Sequence, residues 1–231
     1  MDFSNADLRN ADFSGAVLTN VDFAEANLIG AKFIGARITK CTWRNSRFGD
    51  NDFSEVNADG LTISGRNVSN LRFVNSVIRH SDFKNCKFNE VMITSNTRFL
   101  QVNFLKAEFE GVLSETSFSG CNLSKCRFTT LSTFKENKME DCSCTDACFN
   151  DLTIEESNFI DCNFKNVSCV GTVFRRTCFS GQKTNLEGSD FSRAKAYNSS
   201  FDELNFYRVH LRASSGFEKY SRKNPYLVAS R

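Results

Sequence analysis

Apolar residues recur every five positions through most of this sequence. The series opens with Phe3, Leu8, Phe13, Leu18, Phe23, Leu28, Phe33 and Ile38, and runs through Trp43, Phe53, Phe73 and Phe83 to Ile93 in nineteen consecutive units. Two residues before each central position stands a small one, as in Ala6, Ala11, Ala16, Val21 and Ala26, and the residue between them is Asp or Asn in most of the first units. Beyond Ile93 the register moves by one residue and resumes at Phe99, Phe104 and Phe109. It moves back through Leu113, Phe118 and Phe128, then forward from Phe134 through Phe149, Phe159 and Phe174 to Phe179. After two extra residues it ends with Leu186, Phe191, Phe201, Phe206 and Leu211, for 42 units in all.

A period of five suits neither regular element. On an α-helix five residues advance by roughly 140° net of full turns, so the central positions would wander around the axis instead of forming a stripe. In a strand the sides alternate every two residues, and an odd period sends successive units to opposite faces. The pattern is met when the backbone turns a corner in every unit, so that the small and the central residue both point inward each time. It predicts a coil wound around an axis, with small bulges or loops where the register slips, near 94–98, 110–112, 129–133 and 180–185.

Composition sharpens this picture. Of the 24 Phe in 231 residues, 23 occupy central positions and only Phe217 lies outside the series. The single Pro, Pro225, falls beyond the last unit, as expected if each unit must donate backbone N–H groups to its neighbour. Units such as Ala6-Asp7-Leu8-Arg9-Asn10, Ala11-Asp12-Phe13-Ser14-Gly15 and Ala26-Asn27-Leu28-Ile29-Gly30 resemble the pentapeptide-repeat family, with its A(D/N)LXX pattern. The resemblance covers about residues 1 to 211. It implies an all-β fold, a right-handed quadrilateral parallel β-helix with four units per coil. At the roughly 4.8 Å inter-strand spacing this gives about 10 coils and a rod on the order of 50 Å long.

The expected organisation is therefore a solenoid over 1–211 and a cap or docking tail over 212–231. Its core ladder comprises the central residues named above, each coil touching only its neighbours. Some positions fit poorly. Arg66, Asn51 and Asn137 fall on small inward positions, and Ala58 and Ala196 underfill central ones. Arg66 is expected to be turned outward by a local distortion.

The candidate chemistry is sparse. Ten Cys invite a metal or disulfide reading, especially around Cys142, Cys144 and Cys148. The phase places Cys41, Cys86, Cys121, Cys126, Cys142 and Cys162 at small inward positions and Cys144 and Cys169 at central ones, which makes them packing residues. Cys148 and Cys178 take the outward slot, and alternating inward and outward sites offer no tetrahedral ligand set. Both His residues, His80 and His210, are expected to face solvent, and Glu155-Glu156 and Glu140-Asp141 read as solvated faces. No catalytic residue, metal site or cofactor is expected, and the chain is read as non-enzymatic.

Formal net charge is +2, which favours neither a strongly basic nucleic-acid binder nor a strongly acidic mimic. The charge is banded: −3 over residues 1–60, +4 over 61–130, −3 over 131–211 and +4 over the tail. No apolar run is long enough to span a membrane, and Met1-Asp2 opens no secretory signal. A cytoplasmic location is the default, with a specialised secretion route left open.

Three functional readings follow. The first is a non-catalytic protein-binding scaffold with ordered outward rows. The second is implied by the family resemblance: binding of DNA gyrase or topoisomerase IV by mimicry of duplex DNA, with protection from quinolone-type inhibitors. For that reading the acidic set Asp2, Asp7, Asp12, Asp22 and Glu25 is the suitable surface. The third is the repeat portion of a bacterial effector delivered to host cells. All three expect a protein partner, without direct contact to nucleic acid or membrane. Phe217, Tyr220, Tyr226 and Leu227 are candidates to cover the last coil or to dock a second subunit end to end. Met1 already occupies a small position, so the first coil is expected to be shielded by an oligomer or by further chain.

Overall fold

The computed structural model describes residues 1–221; Tyr226, Leu227 and Pro225 lie outside the described residues. Each five-residue unit is a short extended stretch followed by a corner. The last residue of the unit has positive φ, as at Asn5 (61°), Asn10 (58°), Gly15 (69°), Asn20 (53°) and Glu25 (62°). Asn and Gly adopt this left-handed conformation at least cost, which explains their recurrence there. At many corners the turn closes by a hydrogen bond, such as Ala6 N–H to Phe3 O at 3.1 Å, with Asn5 at the third position of a type II turn. This is the corner that a period of five requires.

Four units make one coil, and successive coils pair in parallel, in register. One side of the solenoid is a nine-stranded ladder. It starts Val17–Thr19, Arg37–Thr39, Asn57–Asp59 and Val77–Arg79, ends at Cys178–Ser180, and extends to a tenth rung through Cys178 and Ser200. An eight-stranded sheet covers two other sides, because three of its strands run straight through a corner: Lys87–Thr94, Glu108–Ser114 and Arg127–Lys135. The predicted slips at 110–112 and 129–133 lie in these long strands, where the pairing shifts register between Arg127 and Thr130 and between Leu131 and Thr133. Gly111 allows the shortened corner: at φ 121° a Cβ would sit 2.2 Å from Val91 O.

The central residues fill the axis. Phe13, Phe33 and Phe53 stack one above another at 5.2 and 4.9 Å between ring centroids, and Phe159, Phe179 and Phe201 do so at 4.5 and 4.6 Å. Each such contact contributes about 0.5–1.5 kcal/mol beyond its area. Phe23, Trp43, Phe73, Phe83, Phe104, Phe128, Phe149, Phe174, Phe191 and Phe206 are buried in the same core, as is Leu18. Phe3, Leu8 and Phe13 are only partly buried, since no coil lies beneath them.

Polar residues at the small inward positions have a defined task. The corner before the nine-stranded side closes by a turn bond in the first three coils, from Ala16, Ala36 and Val56 N–H to Phe13, Phe33 and Phe53 O, but in later coils, as at Phe73–Ser76 and Leu113–Thr116, it is open and lacks that bond. There the small residue of the next coil bridges the corner's carbonyl and N–H. Thr97 Oγ1 donates to Phe73 O at 2.7 Å and accepts from Ser76 N–H at 3.2 Å. Asn137 repeats the arrangement, its Nδ2 donating to Leu113 O at 3.0 Å and its Oδ1 accepting from Thr116 N–H at 3.1 Å. Asn51 is likewise buried and satisfied, with Nδ2 on Leu28 O and Ala31 O.

At the C-terminal end the pairing continues to Lys195 and Ser215. Phe217 and Tyr220 then fold over the last coil, both buried, Tyr220 on the short helix Glu218–Ser221. Phe217 lies 5.0 Å from Phe201, Tyr220 stacks on Phe206 at 5.5 Å, and the Tyr220 hydroxyl accepts from Phe201 N–H at 3.0 Å.

The expectation for Arg66 is corrected. It is not turned outward; it stays in register, half-buried, with Lys87 N–H bonded to its carbonyl at 2.8 Å. The five-residue phase is unbroken around it, since Ile63 and Val68 are buried on either side. The distortion instead opens the contact between two coils.

Candidate partner-binding surface

The interior is consumed by packing, so any recognition lies on the four sides and at openings between coils. The outward Asp/Asn slot is tied first to the backbone. Asp2, Asp12 and Asp22 each accept the N–H two residues on, at 2.8–2.9 Å from Ser4, Ser14 and Ala24. Asp7 is gripped by the Arg9 guanidinium at 2.7 Å, and Glu25 accepts from Asn45 Nδ2 at 2.8 Å. The Arg9 guanidinium holds Asp7 below the usual carboxylate range, as the Ser4 N–H does Asp2 and the Ser14 contacts do Asp12. These acids do not form one row. Asp2 and Asp22 are neighbours on one side, while Asp7 pairs with Asn27 and Asp12 with Lys32 on two others.

Elsewhere the rungs alternate in sign. Arg72 approaches Asp52 at 3.6 Å, Lys87 approaches Glu108 at 3.5 Å, and Arg176 bonds Glu155 and Glu156 from the next coil. Exposed pairs of this kind are each worth little, up to about 1 kcal/mol. They do bring opposite charges together across neighbouring coils.

His80 is exposed, with Nδ1 3.0 Å from Asp59 Oδ1, and His210 is exposed. All ten cysteines are free thiols, eight buried and Cys148 and Cys178 partly so. Burial pushes the Cys86 thiol up to about 11 and raises those of Cys126, Cys144 and Cys169 as well. Among the described residues no group of three or more His, Cys, Asp or Glu could hold a metal ion, and no helix is long and apolar enough to cross a membrane.

Two shallow grooves stand out among the described residues. One, of about 330 Å³, runs past Asn96, Arg98, Glu115 and Lys138. The larger, of about 540 Å³, lies between residues 45–48 on one lip and 64–68 on the other. Here the ladder is interrupted. The coil below and the coil above both pair normally, with Asp22 bridging Thr42, Asn27 bridging Arg47 and Thr62 bridging Asp82. Between them the bridges from Thr42 to Thr62 and from Arg47 to Asn67 are not formed, and five inter-coil hydrogen bonds are missing with them. Pairing returns at Asp50, whose N–H reaches Ser69 O at 2.8 Å.

The cause is Arg66. At the equivalent position one and three coils on, Cys86 and Cys126 donate a thiol to Ile63 O and Phe104 O. Arg66 makes the same contact with a far larger side chain, Nη2 donating to Trp43 O at 3.2 Å, its guanidinium 5.8 Å from the Phe48 ring centre. Burial lowers its pKa. The sequence signal was present, an Arg in a slot whose counterparts in the same column are Ala, Ser, Cys or Val. Outward rotation looked cheaper than spreading two coils.

The model for pentapeptide repeats matches residues 2–39, 138–181 and 182–212, in eight copies. No curated protein matches the sequence. Among solved structures, one similar chain is HetL, a pentapeptide repeat protein involved in heterocyst differentiation regulation from the cyanobacterium Nostoc sp. strain PCC 7120. It is 14% identical, with 90% of this chain and 88% of that one covered, at a TM-score of 0.39. QnrB1, a plasmid-mediated fluoroquinolone resistance protein, is 16% identical over 88% of this chain and 91% of its own, at 0.33. Rfr23 from the cyanobacterium Cyanothece 51142 is 11% identical over 71% and 85%, at 0.17.

Proposed function

Because this chain belongs to the pentapeptide-repeat family, we propose that it is a non-catalytic scaffold that binds a protein partner along its sides. The observation that carries this reading is the division of labour within each unit. Inward residues are spent on packing and on capping carbonyls, so the residues left for recognition are the outward ones, held at fixed inter-coil spacing on a stiff backbone. Such an array suits an extended macromolecular surface better than a small substrate.

The finer reading, binding of a type II topoisomerase as a mimic of DNA, has less to support it. Mimicry asks for carboxylates in one row at phosphate-like spacing. Here the candidate acids are distributed over three sides and engaged by backbone N–H groups or Arg9. A gyrase supercoiling assay with and without a quinolone is expected to show no effect at micromolar protein, and protection would restore this reading.

The scaffold reading is tested by capture on the immobilised chain from bacterial and host-cell lysates. A saturable protein partner is expected, weakened by the charge reversals Lys87→Glu and Arg127→Glu. Retention no greater than on an unfolded Phe83→Asp control would overturn it. The lysate that supplies the partner separates a bacterial role from an effector role.

A further inference from the structure

The interruption between the third and fourth coils leaves a set of backbone groups without their ladder partners among the described residues. By the pairing pattern of the other coils, the missing bonds are those from Trp43, Asn45 and Phe48 N–H to Thr62, Ser64 and Asn67 O, and from Thr62 and Asn67 N–H to Cys41 and Ser46 O. Ladder groups lie along the solenoid axis, so all of these donors and acceptors face the gap. Unpaired strand edges are templates for another strand. The gap also holds a buried polar side-chain atom that lacks a partner among the described residues, Arg66 Nη1, which is a donor only.

The cations of the gap make no direct ion pair, and Glu25, held by Asn45, acts on Arg66 only from a distance. Among the described residues no carboxylate lies within ion-pair distance of Arg44, Arg47 or Arg66, and the residues lining the groove include no acid. A simple anion would answer Arg66 Nη1 but leave the freed carbonyls unmet. A peptide brings both N–H and C=O groups, and a carboxylate on it answers the guanidinium. We propose that this gap is a docking cleft for an extended acidic peptide segment of a protein partner, which pairs with the opened rungs and places a carboxylate on Arg66. The proposal rests on the scaffold reading and locates one contact within it.

Trp43 is the only tryptophan, it is buried, and its carbonyl receives Arg66, so its fluorescence reports on the cleft. The full chain is titrated with the acetylated, amidated peptide Thr-Glu-Val-Glu-Thr, with its Gln counterpart Thr-Gln-Val-Gln-Thr, and with glutarate, and heats are measured in parallel. Saturable binding of the acidic peptide is expected. It should weaken by roughly tenfold or more with the Gln peptide and with Arg66→Met, the loss of one charge-assisted hydrogen bond. Arg66→Ser, which lets the coils close, should abolish binding while the chain stays folded by circular dichroism. Absence of binding at millimolar peptide, equal binding by Arg66→Met, or glutarate binding as tightly as the peptide would each overturn the proposal. If a partner captured from lysate is retained equally by Arg66→Ser, the cleft inference fails while the scaffold reading stands.

Discussion

At the scale of single residues, the small inward position combines two demands, little volume and a donor for a corner carbonyl of the preceding coil. Ala meets the first; Ser, Thr, Cys and Asn meet both. Thr97 shows the size of the effect, because its hydroxyl bonds both Phe73 O, which the ladder also serves, and Ser76 N–H. Thr97→Val keeps the shape, removes both bonds and strands the Ser76 N–H, so urea unfolding should show a loss of about 1–3 kcal/mol, with Thr97→Ser close to neutral. The interior place of eight cysteines was legible from the phase alone. Their second role, as carbonyl caps, was not, since it depends on which corners close by a turn bond and which stay open. A thiol reagent should modify Cys148 and Cys178 quickly and the other eight only on unfolding. The raised Cys86 thiol fixes the sign of a pH effect. The folded chain holds that proton above the ordinary value of 9.0, so its contribution is complete below pH 9 and is lost as pH rises towards about 11. Stability should therefore fall between those values by about 1.4 kcal/mol per pH unit for each such thiol ionised in the unfolded chain alone. Cys86→Ser should flatten the slope.

At the scale of the coil, the corners and the slips in register were readable because a missing or extra residue displaces every later Phe. What the sequence did not reveal is that three corners straighten into strands of seven to nine residues. That outcome is a choice between bending and pairing, made by contacts some twenty residues away. Arg66 belongs to the same class of question. Outward rotation would have broken the inward order of one unit, whereas the structure keeps that order and gives up five hydrogen bonds between coils. Replacing it by the residue type usual in that slot should reverse the exchange. Arg66→Ser is expected to raise stability by about 1–3 kcal/mol in urea unfolding, since it removes a buried, incompletely bonded cation and lets the ladder close. A destabilised Arg66→Ser would mean that the opening is imposed by another residue.

At the scale of the whole molecule, the phase of the Phe residues carried nearly all the architecture: the coil, its length of about ten rungs, and the boundary that Phe217 marks. The surface was less legible. Outward side chains obey no period beyond the Asp/Asn slot, and their partners are set by which rungs are neighbours. Phe83→Asp should unfold the coils on either side, because it places a carboxylate in the stacked core, whereas Lys84→Asp on the exposed face should be nearly neutral. Equal effects, read by circular dichroism and thermal melting, would refute the inward phase. Because each coil is held only by its neighbours, the opening at Arg66 also has a consequence for the way the rod comes apart. The first three coils are joined to the rest along two sides instead of four, so they form a unit able to open by itself. Amide hydrogens of residues 1–60 should exchange at a lower opening free energy than those of the later coils.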